Sequence, residues 1–198
     1  MVFETSWDDG SVEDLEIARL LKKYNLPGLF YVPIERVLSW DKIKEIAKNF
    51  EIGCHTVTHP ADIKLCTDEE LFTEVEGAKG MLESILAREV TKFCYPRGRF
   101  DDRVINYVKE AGFTEARTTK VLELEVTDPF QKPTTVHVFQ RDEYKGESWW
   151  RVAYSLFDKA LTEDKYFHLW GHGWEINKNN DWKQLELFFK YVQEKISE

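Results

Sequence analysis

The sequence predicts an α/β fold in which a parallel sheet carries helices on its outside and is either closed into a barrel or left open. Two observations predict it. Short apolar runs alternate with longer amphipathic ones along the whole chain, and repeated strand-helix units of this kind build parallel sheets. The reactive side chains also gather where the expected strands end, which is where such folds keep their chemistry. With 198 residues, and no repeat, low-complexity segment or linker, positions 1–198 read as one domain able to bury a substantial core.

The elements follow in order. Residues 1–7, MVFETSW, form a strand, and 11–25 a helix whose apolar stripe is Leu15, Ile17, Ala18, Leu20 and Leu21. Pro27 and Gly28 open a β-rich run over 27–34, and Ser39 is placed to cap a helix over 39–50 with Ile43, Ile46 and Ala47 on one face. A third strand covers 50–56. Thr67 with Glu70 three residues later gives the reciprocal cap of a helix over 67–86. The fourth strand is KFCYP at 92–96, followed by a loop and a helix over 102–112 that stops at Gly112. Residues 114–119 and 134–140 are strands around a loop containing Pro129 and Pro133. A helix over 148–164, the strand YFHLWGH at 166–172 and a helix over 181–196 complete the chain.

Composition removes several function classes. The net charge of −9 opposes binding to nucleic acid, whose affinity rests on Lys and Arg contacts to phosphate, and it disfavours anionic membranes and polyanionic glycans equally. A neutral or cationic substrate suits it better. Cys54, Cys66 and Cys94 make an odd set, which points to a reducing compartment rather than a disulfide framework. No apolar run reaches the ~18 residues that would span a bilayer. The first residues already read as strand, so no signal peptide is expected and the expected location is cytoplasmic. Seven Trp suit either core packing or stacking on sugar rings.

The chemistry-bearing residues fall at strand ends. Asp8 and Asp9 close the first strand, His55 and His59 the third, Tyr95, Pro96, Arg97 and Gly98 the fourth, and His172 the last. Two imidazoles four residues apart in HTVTH can meet one metal, although such a pair alone is more often structural. With Asp9 they make a three-ligand His₂Asp set with open positions, the arrangement a hydrolytic metal needs to hold water and substrate. Asp8 cannot share the ligand position of Asp9, because neighbouring strand side chains diverge. It can instead take a proton from the attacking water. Gly10 lets the chain turn sharply after the acidic pair. Taken alone, DDG is an ordinary turn signature.

SWDDG, HTVTH, YPRG and HLWGH, in this order over residues 4–172, resemble the motifs of the polysaccharide deacetylases of carbohydrate esterase family four. The resemblance implies a single-domain distorted (β/α) barrel of seven strands and metal-dependent removal of acetyl groups from N-acetylated sugars. By position, Asp8 resembles the catalytic base, and Asp9, His55 and His59 the metal ligands. The backbone N–H of Tyr95 resembles the oxyanion donor, and His172 the general acid. The expected cofactor is one divalent ion, zinc by first choice, with cobalt, nickel and iron also suited to His₂Asp. The expected substrate is an N-acetylated sugar or small amide.

The chain departs from the family pattern at two points. The usual arginine of the third motif falls at Cys94, and the acidic fourth motif has no match. Arg117 and Arg97 are the candidates to orient Asp8 instead. Pro96, Arg97, Trp170 and Trp174 are candidate substrate contacts, with core packing the competing role for the tryptophans, Trp182 included. Cys54 and Cys94 read as buried structural thiols, His168 as a satisfied interior imidazole, and His137 as structural. Glu175 is near enough in sequence to orient His172. The glycines flanking His172 either admit substrate or turn the chain. Two other readings remain open: a hydrolase of cyclic or other amides on the same site, and a carbohydrate-binding homologue that has lost activity.

Overall fold

The computed structural model describes residues 1–35 and 39–197. Seven strands, β1 (Val2–Asp8), β2 (Leu29–Val32), β3 (Glu51–Cys54), β4 (Lys92–Cys94), β5 (Glu115–Arg117), β6 (Val136–His137) and β7 (Tyr166–His172), make one sheet. Their order is β5-β4-β3-β2-β1-β7-β6, and every neighbouring pair is parallel. The two longest strands lie side by side in register from Val2↔Tyr166 to Asp8↔His172. The first and last strands of the sequence therefore end together, and Asp8 stands beside His172.

The sheet curls, and one stretch of chain spans its two edges. Lys132 N–H donates to Ala116 on β5 at 2.9 Å and the Lys132 carbonyl accepts from Thr118 at 2.9 Å. Three residues on, Thr135 N–H donates to His168 on β7 at 2.9 Å. This is the distorted barrel the sequence predicts. It also explains why β6 covers only 136–137 within the expected 134–140: Thr134 bonds Lys120 rather than a strand.

The helices are α1 (Asp14–Lys23), α2 (Trp40–Ala47), α3 (Asp68–Phe72), α4 (Ala78–Leu86), α5 (Asp102–Glu110), α6 (Trp149–Thr162), α7 (Gly173–Asn179) and α8 (Trp182–Ile196). Helix α1 buries Ile17, Leu20 and Leu21 as its stripe predicts. Thr67 and Glu70 form the reciprocal cap of α3, whereas Ser39 precedes α2 in extended conformation without a side-chain cap bond. Between α3 and α4 the chain runs through one π-helical stretch, Thr73–Gly77. The sequence reading leaves α7 without an element. The Glu175 carboxylate caps its first turn, accepting from the His172 N–H at 3.1 Å. Among the described residues no helix is long and apolar enough to cross a membrane.

Strand alternation divides β1 between two environments. Trp7 faces the helices, its ring 6.4 Å from Phe189 of α8, and Phe3 packs on Phe157 and Phe167. Much of the aromatic excess is spent in this outer core, where Trp7, Trp149, Phe157, Phe167, Phe188 and Phe189 are buried. Glu4, Ser6 and Asp8 face the barrel interior, which is polar. In its lower layer Ser6 and Tyr166 flank His168 at 2.7 and 2.6 Å, and Lys132 bonds Glu4 and Glu115 at 2.9 Å each. His168 is thus the satisfied interior imidazole expected of it.

Candidate active site and metal centre

At the upper, C-terminal mouth of the barrel the backbone turns left-handed directly after β1, with φ of 76° at Asp9 and 63° at Gly10. The Asp9 N–H still donates to the Tyr31 carbonyl at 3.1 Å. This break in strand conformation separates the adjacent carboxylates: Asp8 continues the inward face while Asp9 swings across the mouth. Its Oδ1 lies 3.7 Å from Nε2 of His55 and 3.7 Å from Nε2 of His59, and the two imidazole centres are 4.7 Å apart.

The loop between the histidines is held from below. Thr56 and His59 both have positive φ, 71° and 56°, and the His59 N–H donates to Thr56 Oγ1 at 3.1 Å. The buried Glu74 carboxylate, presented by the π-helical stretch, accepts from the Val57 and Thr58 N–H groups at 2.9 and 3.0 Å and from the Thr58 hydroxyl at 2.6 Å. Such π-segments recur at functional sites. Sequence reasoning missed Glu74 because nothing in a capped amphipathic helix marks one glutamate as turned inward.

The donor set fits a divalent cation. His55 Nδ1–H donates to the Cys94 carbonyl at 2.8 Å, which fixes the tautomer and leaves Nε2 with a free lone pair. Burial lowers the His55 pKa, against the pull of Asp8 and Asp9. Asp9 Oδ1 is buried without a hydrogen-bond partner. One carboxylate and two imidazoles, with a ligand atom of each within 4.8 Å of the others, make a three-ligand set.

Asp8 sits beside this set, almost fully buried. Its Oδ2 is ion-paired with the Arg117 guanidinium, and its Oδ1 has no partner. Burial alone would raise the Asp8 pKa; the charge of Arg117, then those of His55 and His172, bring it below the usual carboxylate value. Arg117 is fully buried, with Nη2 2.8 Å from the Cys94 sulfur and Nη1 donating to the Thr118 carbonyl at 3.1 Å. Cys94 and Arg117 are register partners on β4 and β5, so the small Cys94 side chain lets the guanidinium reach Asp8 from the next strand. Arg97, the other candidate to orient Asp8, is exposed on its loop.

His172 faces the set from the other side, its Nε2 3.7 Å from Asp9 Oδ2. Glu175 Oε2 accepts from His172 Nδ1 at 2.8 Å, from the His172 backbone N–H at 3.1 Å, and from His137 Nε2 at 2.8 Å. Burial pushes the His172 pKa down. The Glu175 hydrogen bond and the nearby charges of Asp8, Glu175 and Asp9 outweigh it and raise the value to about 9. His137, read as structural, thus lies at the site through Glu175. No sequence signal pointed there, because its neighbours in the chain carry no partner.

Three expectations need correction. The Tyr95 N–H donates to the Arg117 carbonyl at 3.1 Å, so the sheet ladder uses it and it is not offered to an oxyanion. The buried Tyr95 ring packs on Phe93 and Phe100, and its hydroxyl donates to the Phe130 carbonyl at 2.9 Å. Trp170 is buried and stacked on His137 at 3.9 Å, which leaves it no open face for a sugar. Pro96 is buried as well. Trp174 is 40% exposed with its ring 5.4 Å from that of His172, and so remains an available platform. Trp182 begins α8 and bonds Asn177 at 3.3 Å. The glycines beside His172 serve packing: a Cβ at Gly171 would stand 2.1 Å from Val138 Cγ2, and one at Gly173 2.6 Å from Glu13 Cβ.

Known proteins share this architecture. The chain resembles a Streptococcus pyogenes deacetylase, PplD, solved with acetate (20% identity, TM-score 0.60, covering 66% of this chain and 62% of that one). It resembles BC0361, a polysaccharide deacetylase from Bacillus cereus (27% identity, TM-score 0.58, 66% and 45%). Similarity over 98% of this chain and 60% of the other is found with BA3943, a CE4 family pseudoenzyme from Bacillus anthracis (16% identity, TM-score 0.62). The chain therefore spans less than two thirds of the length of each of these proteins. No curated protein matches it significantly. The polysaccharide deacetylase family profile matches residues 2–116, more than half of the sequence, and the chain belongs to that family.

Proposed function

We propose that the protein is a metal-dependent hydrolase that removes N-acetyl groups from an amino sugar, a glycan or a glycan precursor. One observation carries this reading: the Asp9, His55 and His59 set has the Arg117-held Asp8 on one side and the Glu175-held His172 on the other. The relatives solved as deacetylases, one with acetate, support the substrate class. Three unpaired cysteines suit a reducing compartment, where a sugar building block is a more accessible substrate than a mature wall polymer.

Asp9, His55 and His59 would hold the ion, zinc by first choice. When bound, it lowers the pKa of a coordinated water towards ~7 and polarises the acetyl carbonyl. Asp8 Oδ1, the unpartnered oxygen, accepts the proton as the water oxygen attacks the carbonyl carbon, and Arg117 keeps the carboxylate ionised until then. With the Tyr95 N–H committed and no N–H at Pro96, the next backbone donor along the loop for the developing oxyanion is that of Arg97. His172, held protonated by Glu175, gives its proton to the nitrogen as the C–N bond breaks, releasing acetate and free amine. Trp174 offers a face to the sugar beside this acid.

The test combines metal content with acetate release. Wild type and His55→Ala are purified identically, supplied with zinc or cobalt, and assayed on N-acetylglucosamine, its oligomers and a panel of cyclic amides. One equivalent of metal and acetate release in wild type, both lost in the variant, supports the reading. Turnover confined to cyclic amides replaces the substrate class. Sugar binding without acetate release, in metal-loaded protein, makes the chain a binding homologue.

A further inference from the structure

Four flat groups run across the barrel mouth and connect the two halves of the site. The His137 imidazole stacks on the Trp170 indole with centres 3.9 Å apart and planes 9° from parallel. Cζ of Arg117 lies 4.5 Å from the Trp170 ring centre and 5.3 Å from that of Tyr31. With one indole face taken by His137, the guanidinium occupies the other. His137 grips Glu175 and Arg117 grips Asp8, so the two neighbours of Trp170 in the column reach the holder of the acid and the base.

Three of these groups each keep one buried ring or guanidinium nitrogen without a partner. His137 Nδ1, Arg117 Nε and Trp170 Nε1 are buried and have no hydrogen-bond partner. His137 is thus tied in its own plane at one nitrogen only. What fixes the tilt of its ring is the indole against its face, and the same indole limits the tilt of the guanidinium. Aromatic stacking and cation–π contacts supply that kind of restraint, each worth on the order of 1 kcal/mol.

We propose that Trp170 is a positioning residue that sets the orientation of both Arg117 and His137, and through them the base Asp8 and the acid His172, without touching substrate. The geometry stands independently of the reaction, while the kinetic consequence rests on the de-N-acetylase reading. Trp170 is register partner to His137 on the neighbouring strand and lies two residues before His172, so one side chain reaches both halves of the site.

The experiment compares Trp170→Leu, which removes the flat ring, with Trp170→Phe, which keeps one, in zinc-supplemented protein. Misplacing reacting groups by ~1 Å can cost about 100-fold in rate, and smaller shifts cost less. The expected result is a fall of up to that size in kcat for Trp170→Leu with KM within about threefold, and substantial retention in Trp170→Phe. Spectra of ¹⁵N-histidine-labelled protein give a second readout. In wild type the His137 ring signals are expected upfield, shifted by the indole, with sharp Glu175-bound N–H signals from His137 and His172. Both features persist in Trp170→Phe and are lost in Trp170→Leu. A rise in KM at constant kcat would make Trp170 a sugar contact and overturn the proposal, as would wild-type kcat and spectra in Trp170→Leu. Should the wild-type protein release no acetate, the functional reading fails, and the spectra alone decide whether Trp170 orients the column. If Trp170→Leu does not fold, Trp170→Met takes its place.

Discussion

Replacing Arg117 by Met leaves the buried Asp8 carboxylate facing Cys94 and the Tyr31 and Trp170 rings without its closest cation. Removing one member of a buried ion pair costs ~3–5 kcal/mol, because the remaining charge stays desolvated. The pH dependence gives a sharper test than the magnitude. In wild type, the folded Asp8 pKa lies below the usual 3.8, since Arg117, His55 and His172 outweigh burial. A depressed carboxylate contributes stability that is present above the unfolded value and lost as pH falls through the folded one. In the variant burial persists and the largest lowering influence is gone, so the folded pKa rises. The stability that wild type gains on ionising Asp8 above the unfolded pKa shrinks accordingly, so stability rises less steeply with pH in the variant. Urea unfolding of metal-free protein from about pH 4 to pH 8 measures both. Arg117→Lys, which keeps the charge and loses the planar fork, falls between. A loss under ~1 kcal/mol with the wild-type pH slope would place Arg117 among weakly coupled surface-type pairs and refute the reasoning.

Glu74→Gln keeps the shape but loses the charge that holds Val57, Thr58 and the loop between His55 and His59. Metal affinity, measured by competition with a chelator, is expected to fall ~10- to 100-fold with the fold intact; unchanged affinity would reduce Glu74 to a structural cap. For Glu175, burial would raise the pKa, but His137 and His172 bring it from 4.5 to about 2. Its contribution to stability is therefore present above pH 4.5 and lost as pH falls towards about 2, and Glu175→Gln removes that acid limb. The same variant lowers the His172 pKa from about 9, so the alkaline limb of kcat moves to lower pH; an alkaline limb that stays in place counts against His172 as the acid.

What the sequence made legible is what depends on pattern and chain order. Strand alternation and helical stripes are local, so β1, β7, α1 and the Thr67–Glu70 cap could be read directly. Asp8, Asp9, His55, His59 and His172 could be found because parallel strands deliver their ends to one mouth. Roles that depend on register or on a hydrogen bond across the fold were not legible. The sequence offers Arg117 and Arg97 alike as holders of Asp8; that Arg117 is the one, reaching past its small register partner Cys94, only the pairing of β4 with β5 shows. The same pairing takes the Tyr95 N–H, which a motif alone cannot reveal. His137 is brought to Glu175 because β6 lies beside β7, 38 residues separating the two in sequence. Trp170 alternates inward with His168 and His172. Alternation gives that direction, but not that His137 and Arg117 cover its faces.

The barrel interior itself separates what holds the fold from what serves a reaction. Its lower layer is charged as well, and there Ser6, Tyr166 and His168 meet one another while Lys132 is shared by Glu4 and Glu115. Among the described residues, the buried side-chain polar atoms without a hydrogen-bond partner are Asp8 Oδ1, Asp9 Oδ1, Asp14 Oδ2, Arg117 Nε, His137 Nδ1 and Trp170 Nε1. All belong to the upper end: even Asp14, in the first turn of α1, has its other oxygen 3.0 Å from where a Cβ on Gly173 would stand, next to His172. Leaving a buried polar group unpaired costs ~1–3 kcal/mol, and native folds tolerate few such groups without a reason. Of the ten non-glycine residues with positive φ among the described residues, Asp9, Thr56, His59 and Arg97 lie in loops at this mouth, a cost of the kind found at functional sites. A barrel selected for stability alone would satisfy its upper layer as it does its lower. Of the unpaired atoms, Asp9 Oδ1 belongs to the Asp9, His55 and His59 set and Asp8 Oδ1 lies beside it, where an ion and a water would supply the partners that the chain withholds.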